Sequence, residues 1–289
     1  MLDDTGRSLV KLYIAARSAG QVGGETKSVP ALTADVVRGH QPLTVILLPA
    51  LFVGDWLWDP LWARLRDAAW PVIRFRESAS QMDRLTARSI ERLARAVANA
   101  YRPHKTGPLV VCGDSLGALV ALELGEIFPD DVVGIAVSGA PGLDHAASRL
   151  GREVLTGCTD PRQIADRFLA KLLHDAHRLS IDEVRYAQLI DGLATPVAAA
   201  SILDGLQAIR GYDVQSRLQS LQMPKLFVWG RQDQITPVAP WLDAIGSMPD
   251  SRLVVLDQCG HAPMFERPDD FFCELSLLLA HCAGKSSAP

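Results

Sequence analysis

The sequence predicts an α/β protein built on a doubly wound, mostly parallel sheet, and three observations carry that expectation. Short runs rich in β-branched residues and leucine recur along the chain, helix-length amphipathic segments lie between most of them, and one interval, residues 139–224, is far longer than the rest. The runs are Leu43 to Leu48, Val72 to Phe75, Leu109 to Cys112, Val132 to Val137, Leu226 to Trp229 and Leu253 to Leu256. Unbroken apolar runs of this length suit strands covered on both faces. Strands that alternate with helices imply right-handed crossovers, and hence parallel pairing.

Among the intervening segments, Thr86 to Tyr101 reads as one helix, with Ile90, Leu93, Ala94 and Val97 on a shared face. A structureless connection as long as 139–224 is improbable in a compact domain. Apolar positions around Ile164 to Leu173 and Val184 to Leu193 have helical spacing, so this interval is expected to hold an inserted helical cap. The resulting division is an N-terminal extension over 1–41, an α/β core in two parts, 42–140 and 221–289, and a cap over 141–220. Within the extension, a helix from Ser8 to Arg17, a Gly-rich break at Gly20 to Gly24 and short strands before Pro42 are expected. This extension is a candidate cover for the cap or for the partner subunit of a homodimer.

With 289 residues, 48% of them hydrophobic, the chain can bury a sizeable core. The 29 basic and 33 acidic residues leave no positive excess to grip a phosphate backbone, which argues against nucleic acid as a partner. Cys112, Cys158, Cys259, Cys273 and Cys282 are odd in number, widely spaced and without a Cys-x-x-Cys pair, so neither a disulfide framework nor a zinc site is suggested. The start, Met1-Leu2-Asp3-Asp4, is acidic where a secretory signal is basic, and Lys11 interrupts the short apolar stretch Leu9 to Ala16. A cytoplasmic location is expected. No run reaches the roughly 18 to 20 apolar residues that span a bilayer, so no membrane association is expected.

The chemistry begins at Gly113-Asp114-Ser115-Leu116-Gly117, directly after the run Leu109 to Cys112 and before a helix-like stretch that ends ahead of Pro129. A serine on a sharp strand-to-helix turn needs small flanking residues, because its backbone is strained and the two elements cross closely. Gly113 and Gly117 meet that need. The turn places Ser115 at a helix N-terminus, where free N–H groups and the helix dipole stabilise negative charge. A serine hydroxyl is a weak nucleophile until a base takes its proton, and that base needs an orienting acid. Both follow in order. Asp233 lies in Trp229 to Pro237, just after a buried run, and His261 lies in Cys259-Gly260-His261-Ala262-Pro263, just after the last run.

With these residues in place, the chain from about 42 to 283 resembles the α/β-hydrolase superfamily, also in Leu218 to Leu226 and in Phe265-Glu266-Arg267-Pro268-Asp269. The resemblance implies a serine hydrolase cleaving an ester or thioester of a small acyl substrate through an acyl-enzyme on Ser115, without metal or organic cofactor. Carbon–carbon bond hydrolysis, lactonase and acyltransferase chemistry use the same triad, and some proteins of this fold are small-molecule receptors. It implies an oxyanion hole formed by the N–H of Leu116 and, on alignment at Trp58, that of Leu51, with Phe52 as the neighbouring candidate. Pro49-Ala50 replaces the usual His-Gly there, and Arg76 to Ser80 replaces a common Asp-x-x-Gly-x-Gly-x-Ser turn. The string Gly-Asp-Ser-Leu also marks a different lipase fold, but the Asp-x-x-His block of that fold is missing.

Asp114 would repel an oxyanion if it faced the site, so it is expected to turn away into a hydrogen bond with neighbouring backbone. His174 and His177 could share a helix face, but zinc needs at least three protein ligands and no third is evident. Trp56, Trp58 and Trp62 are candidates for an acyl pocket, with core packing an equally good account of Trp62.

Overall fold

The structure, a computed structural model, describes residues 32–51, 53–78, 82–144, 160–175, 181–194 and 196–286. The expected helix Ser8 to Arg17, the Gly-rich break and His177 lie outside these residues.

Seven strands form one sheet: β1 (Ala34–Val37), β2 (Thr44–Leu48), β3 (Val72–Phe75), β4 (Leu109–Asp114), β5 (Val132–Ser138), β6 (Lys225–Gly230) and β7 (Ser251–Leu256). Their order is β1-β3-β2-β4-β5-β6-β7; β1 runs antiparallel to β3, and every other pairing is parallel. The doubly wound, mostly parallel reading holds. β2, β4 and β6 are buried along their whole length, as their mostly apolar sequences require, whereas β7, at the edge, keeps every residue partly exposed.

Helices cover both faces. On one side lie α1 (Asp59–Asp67) and the last helix; on the other lie α3 (Ile90–Tyr101) and α4 (Leu116–Ile127), with α2 (Arg84–Ala87) preceding α3. The single helix expected over Thr86 to Tyr101 is thus two. Asp83 caps α2 by accepting the N–H groups of Leu85 and Thr86, and Ser89 caps α3 by accepting that of Arg92, so each restarts a helix and Arg88 falls between them.

Between β5 and β6 the described residues hold α5 (Pro161–Leu172), α6 (Glu183–Ala194), α7 (Pro196–Gly211) and α8 (Val214–Ser220). Asp160 caps α5 by accepting the N–H of Arg162, with Pro161 in the first turn, where its missing N–H costs nothing. Ionic contacts tie these helices down: Arg185 on α6 to Asp59, Arg88 to the buried Asp204 on α7 at 2.8 Å, and Arg217 on α8 to the buried Glu123 on α4 at 2.9 Å. After β6 come α9 (Ala239–Gly246), then β7, α10 (Pro263–Glu266) and α11 (Pro268–Ser286).

Of the three tryptophans, Trp58 packs edge-on against Phe271 and Trp56 against Phe265, while Trp62 lies under the Arg74 guanidinium. All three contacts are packing contacts.

Candidate active site

Four loops at the C-terminal ends of strands converge. The first follows β4. Register pairs Leu48 of β2 with Gly113, and Asp114 with Ser138 of β5, so the turn after β4 starts between two neighbouring strand ends. Ser115 there has φ 54° and ψ −119°, a backbone conformation that a residue with a Cβ adopts only when its surroundings enforce it. The enforcement is visible. A Cβ on Gly113 would stand 2.2 Å from the carbonyl oxygen of Gly117, and one on Gly117 would stand 2.6 Å from that of Pro49. The N–H of Ser115 donates to Ser138 O at 3.0 Å, and α4 begins at Leu116, whose N–H has no preceding helical turn to bond.

The second loop follows β2. Trp58 Nε1–H donates to Leu48 O at 3.1 Å, which folds the turn back onto the strand end and holds Leu51 against the core, 6% exposed. Phe52 lies outside the described residues. Gly205 of α7 sits on both candidate donors, since a Cβ there would meet Leu51 Cδ1 at 2.4 Å and Leu116 Cδ1 at 3.5 Å.

The third set comprises the loops after β6 and β7. Asp233 is buried and its carboxylate is saturated: Oδ1 accepts the N–H groups of Ile235 at 2.8 Å and Thr236 at 2.9 Å, and Oδ2 lies 2.9 Å from His261 Nδ1 and 3.0 Å from the Thr236 hydroxyl. An ionised carboxylate only accepts, so Nδ1 carries the proton and Nε2 is the lone-pair nitrogen of the neutral ring. Thr236 Oγ also lies 2.9 Å from Gly139 O and 3.1 Å from Nδ1, and so braces the same Nδ1 edge of the ring.

The His261 backbone is held as well. Its N–H donates to Leu172 O at the end of α5, 2.8 Å away. Glu266 on α10 accepts the N–H groups on either side of it, those of Gly260 at 2.9 Å and Ala262 at 3.2 Å, through Oε1, and the N–H of His174 at 2.7 Å through Oε2. His174 itself is exposed. Among the described residues, no group of three His, Cys, Asp or Glu is placed to hold a metal ion.

Ser115 and His261 each contact the end of β5. Ser138 holds the serine backbone, and the next residue, Gly139, lies against the imidazole with φ 55°. A Cβ on Gly139 would stand 2.5 Å from Cε1 and 2.8 Å from Nδ1. Gly139→Ala is therefore expected to displace the ring and to impose a left-handed conformation costing about 1–2 kcal/mol. Thermal denaturation and kcat/KM measured together check this: both should fall, the rate by more than the stability loss alone implies.

Electrostatics favour the cation. Burial alone would push the His261 imidazole down, but Asp233, by charge and hydrogen bond, and then Asp114 and Glu266 outweigh it and hold it up at about 9. Asp114 is fully buried. Its Oδ1 accepts the Ser138 hydroxyl at 2.9 Å, the neighbouring Ser115 backbone N–H expected from sequence also favours its charged form, and among the described residues Oδ2 has no hydrogen-bond partner.

Thr236, Gly139 and Glu266 are the site residues that the sequence did not mark. Thr236 was within reach, since an Asp three residues ahead of a Thr in a loop is a common side-chain-to-backbone turn. Glu266 lies in the Phe265 to Asp269 motif, but its bond to the His174 N–H, 92 residues away, has no local signal.

A mostly parallel sheet with a strained serine turn after one strand and a buried histidine–aspartate pair after two others defines a hydrolase-like site. The chain belongs to the alpha/beta hydrolase family, whose model matches residues 45–275. It is 30% identical over 192 residues to the pimeloyl-[acyl-carrier protein] methyl ester esterase of Aromatoleum aromaticum, covering 61% of this chain and 75% of that protein. The protein of the same name from Neisseria meningitidis serogroup C is 28% identical over 259 residues, covering 86% of this chain and 94% of its own. Among solved structures, an esterase from Exiguobacterium antarcticum superposes with a TM-score of 0.71 at 14% identity, covering 86% of this chain and 95% of its own. The enol-lactonase of Burkholderia xenovorans LB400 does so with a TM-score of 0.69 at 19% identity, covering 86% of this chain and 96% of its own. At these identities the two structures speak to the fold alone.

Proposed function

We propose that the chain is a serine carboxylesterase in which Ser115 is the nucleophile, His261 the general base and Asp233 the acid that orients it. The observation that carries this reading is the strained Ser115 backbone, φ 54°, bonded to Ser138 O, while the next residue, Gly139, packs on a buried imidazole whose Nδ1 lies 2.9 Å from the Asp233 carboxylate. His261 Nε2 takes the Ser115 proton as Oγ attacks the ester carbonyl, and the N–H groups of Leu116 and Leu51 hold the oxyanion. The tetrahedral adduct expels the alcohol, protonated by His261, and water then hydrolyses the acyl-enzyme by the same steps. The chemistry needs no metal or cofactor.

Residues 141–220 serve as the cap. Leu172 O on the His261 loop, Gly205 against Leu51 and Leu116, and the Arg88–Asp204 ion pair support this, because each joins the insertion to a site loop or to its flank. The widely spaced cysteines support a reducing, cytoplasmic setting. No helix among the described residues is long and apolar enough to cross a membrane.

The acyl side is read as the small apolar cleft beside the serine turn, lined by Leu48, Phe75, Met82, Leu93, Val97 and Leu116. Its wall holds one carboxylate, Glu77, which accepts from the backbone N–H of Thr33 at 2.7 Å. An apolar pocket with a single negative group suits a short uncharged acyl chain and disfavours one with a terminal carboxylate. The relatives' names point to methyl esters. The test is a chain-length series of methyl and p-nitrophenyl esters, dicarboxylate half-esters and matched thioesters. Short uncharged esters are expected to react at least about 10-fold faster than half-esters of equal length; faster half-esters or thioesters would overturn the assignment.

A further inference from the structure

We propose that Asp114 is a positioning residue of the reaction: a second buried carboxylate that acts through His261, supporting the imidazolium from beneath the serine turn while Asp233 holds it at Nδ1. This rests on the reading of His261 as the general base.

The geometry is specific. Asp114 is 0% exposed and immediately precedes Ser115. Its register partner on β5 is Ser138, which donates its hydroxyl to Asp114 Oδ1 and accepts the Ser115 N–H on its carbonyl. Gly139, the next residue, touches the imidazole. One strand end thus links the Asp114 carboxylate, the serine backbone and the histidine ring.

A carboxylate that served only to tie β4 to β5 would have both oxygens bonded, since a buried charge left half-solvated by the protein is costly. Oδ2 has no hydrogen bond among the described residues, so the compensation for an ionised Asp114 comes first from a cationic His261, then from the Ser138 hydroxyl, and least from the backbone N–H of Ser115. The charged groups that bear on this pair are His261 from the loop after β7, Asp233 from the loop after β6 and Glu266 from α10. Burial pushes Asp114 up to about 6, against His261 and the Ser138 bond, which lower it. Asp114 in turn is one of the groups that raise His261 to about 9.

Two consequences follow for the pH profile. Between about 6 and 9 both groups are charged, so the base form of His261 grows with pH and kcat/KM should rise until about 9. Removing the Asp114 charge must lower the His261 midpoint, because a negative neighbour favours the cation.

The experiment is an NMR titration of His261 in full-length wild type, Asp114→Asn and Ser138→Ala, with the resonance identified by its loss in His261→Gln, alongside kcat/KM against pH. Asparagine keeps the acceptor for Ser138 and the side-chain volume. In Asp114→Asn the His261 midpoint is expected to fall by about one pH unit, with the kcat/KM curve moving with it. In Ser138→Ala the main step should stay in place while the smaller inflection that reports Asp114 moves up. A folded Asp114→Asn with an unmoved His261 midpoint overturns the proposal. If that variant does not fold, an unmoved lower inflection in Ser138→Ala overturns it instead. Failure of the esterase reading would abolish turnover but leave the titration shifts, whereas failure of this inference leaves turnover and removes the shifts.

Discussion

Replacing Ser115 by alanine is expected to lower ester hydrolysis by about 10⁵- to 10⁶-fold while leaving the fold intact. Alanine keeps the Cβ that the φ 54° backbone already accommodates, and the N–H bond to Ser138 O is unaffected. Only Oγ is lost. The residual rate then reflects binding and the N–H groups of Leu116 and Leu51, which polarise the carbonyl without a nucleophile. Steady-state hydrolysis of the ester series, with labelling by a fluorophosphonate probe, decides the matter. Turnover within about 10-fold of wild type, or labelling that persists in Ser115→Ala, would place the nucleophile elsewhere.

Asp233→Asn is expected to cost about 10⁴-fold in kcat, through the proton on the histidine rather than through any movement of it. Oδ1 of Asp233 accepts two backbone N–H groups, so an asparagine keeps its carbonyl oxygen there and turns its NH2 toward His261 Nδ1. Nδ1 must then accept, the proton moves to Nε2, and the ring no longer offers a lone pair to Ser115. The same change removes the largest influence that raises the His261 midpoint, so what activity remains should reach its plateau at lower pH than wild type. Pre-steady-state burst kinetics separate this from a folding defect: the slow step should be acylation, with the burst abolished and the thermal midpoint little changed.

How far the sequence foretells this arrangement depends on the range of the forces involved. β2, β4 and β6 are plain in the sequence because burial on both faces demands uninterrupted apolar runs. β7 is longer than its apolar run, since Ser251 and Arg252 at the sheet edge can keep polar side chains in water while their backbone pairs with β6. The break between α2 and α3 follows from Asp83 and Ser89, whose caps are local but compete with a continuous apolar face that argues for one helix. At the site, the order of Ser115, Asp233 and His261 is written in the chain because each follows a strand. Asp114 is different. Its partner is fixed by sheet register, and only the fold reveals that the bond goes to the Ser138 side chain and that one oxygen is left over.

The suspension of His261 between two parts of the chain restricts how this enzyme can be re-engineered. The Leu172 carbonyl and the His174 N–H are backbone groups, so their service does not depend on which side chains α5 carries, only on where its last turn ends. A chimera that imports a foreign segment in place of residues 141–220 would have to deliver a carbonyl and an N–H to the same two points, or the histidine loop would come adrift from its tether. Shuffling whole segments is consequently a poor route to new selectivity here. Point changes that leave the end of α5 untouched keep both backbone bonds to the histidine loop and Glu266 in place.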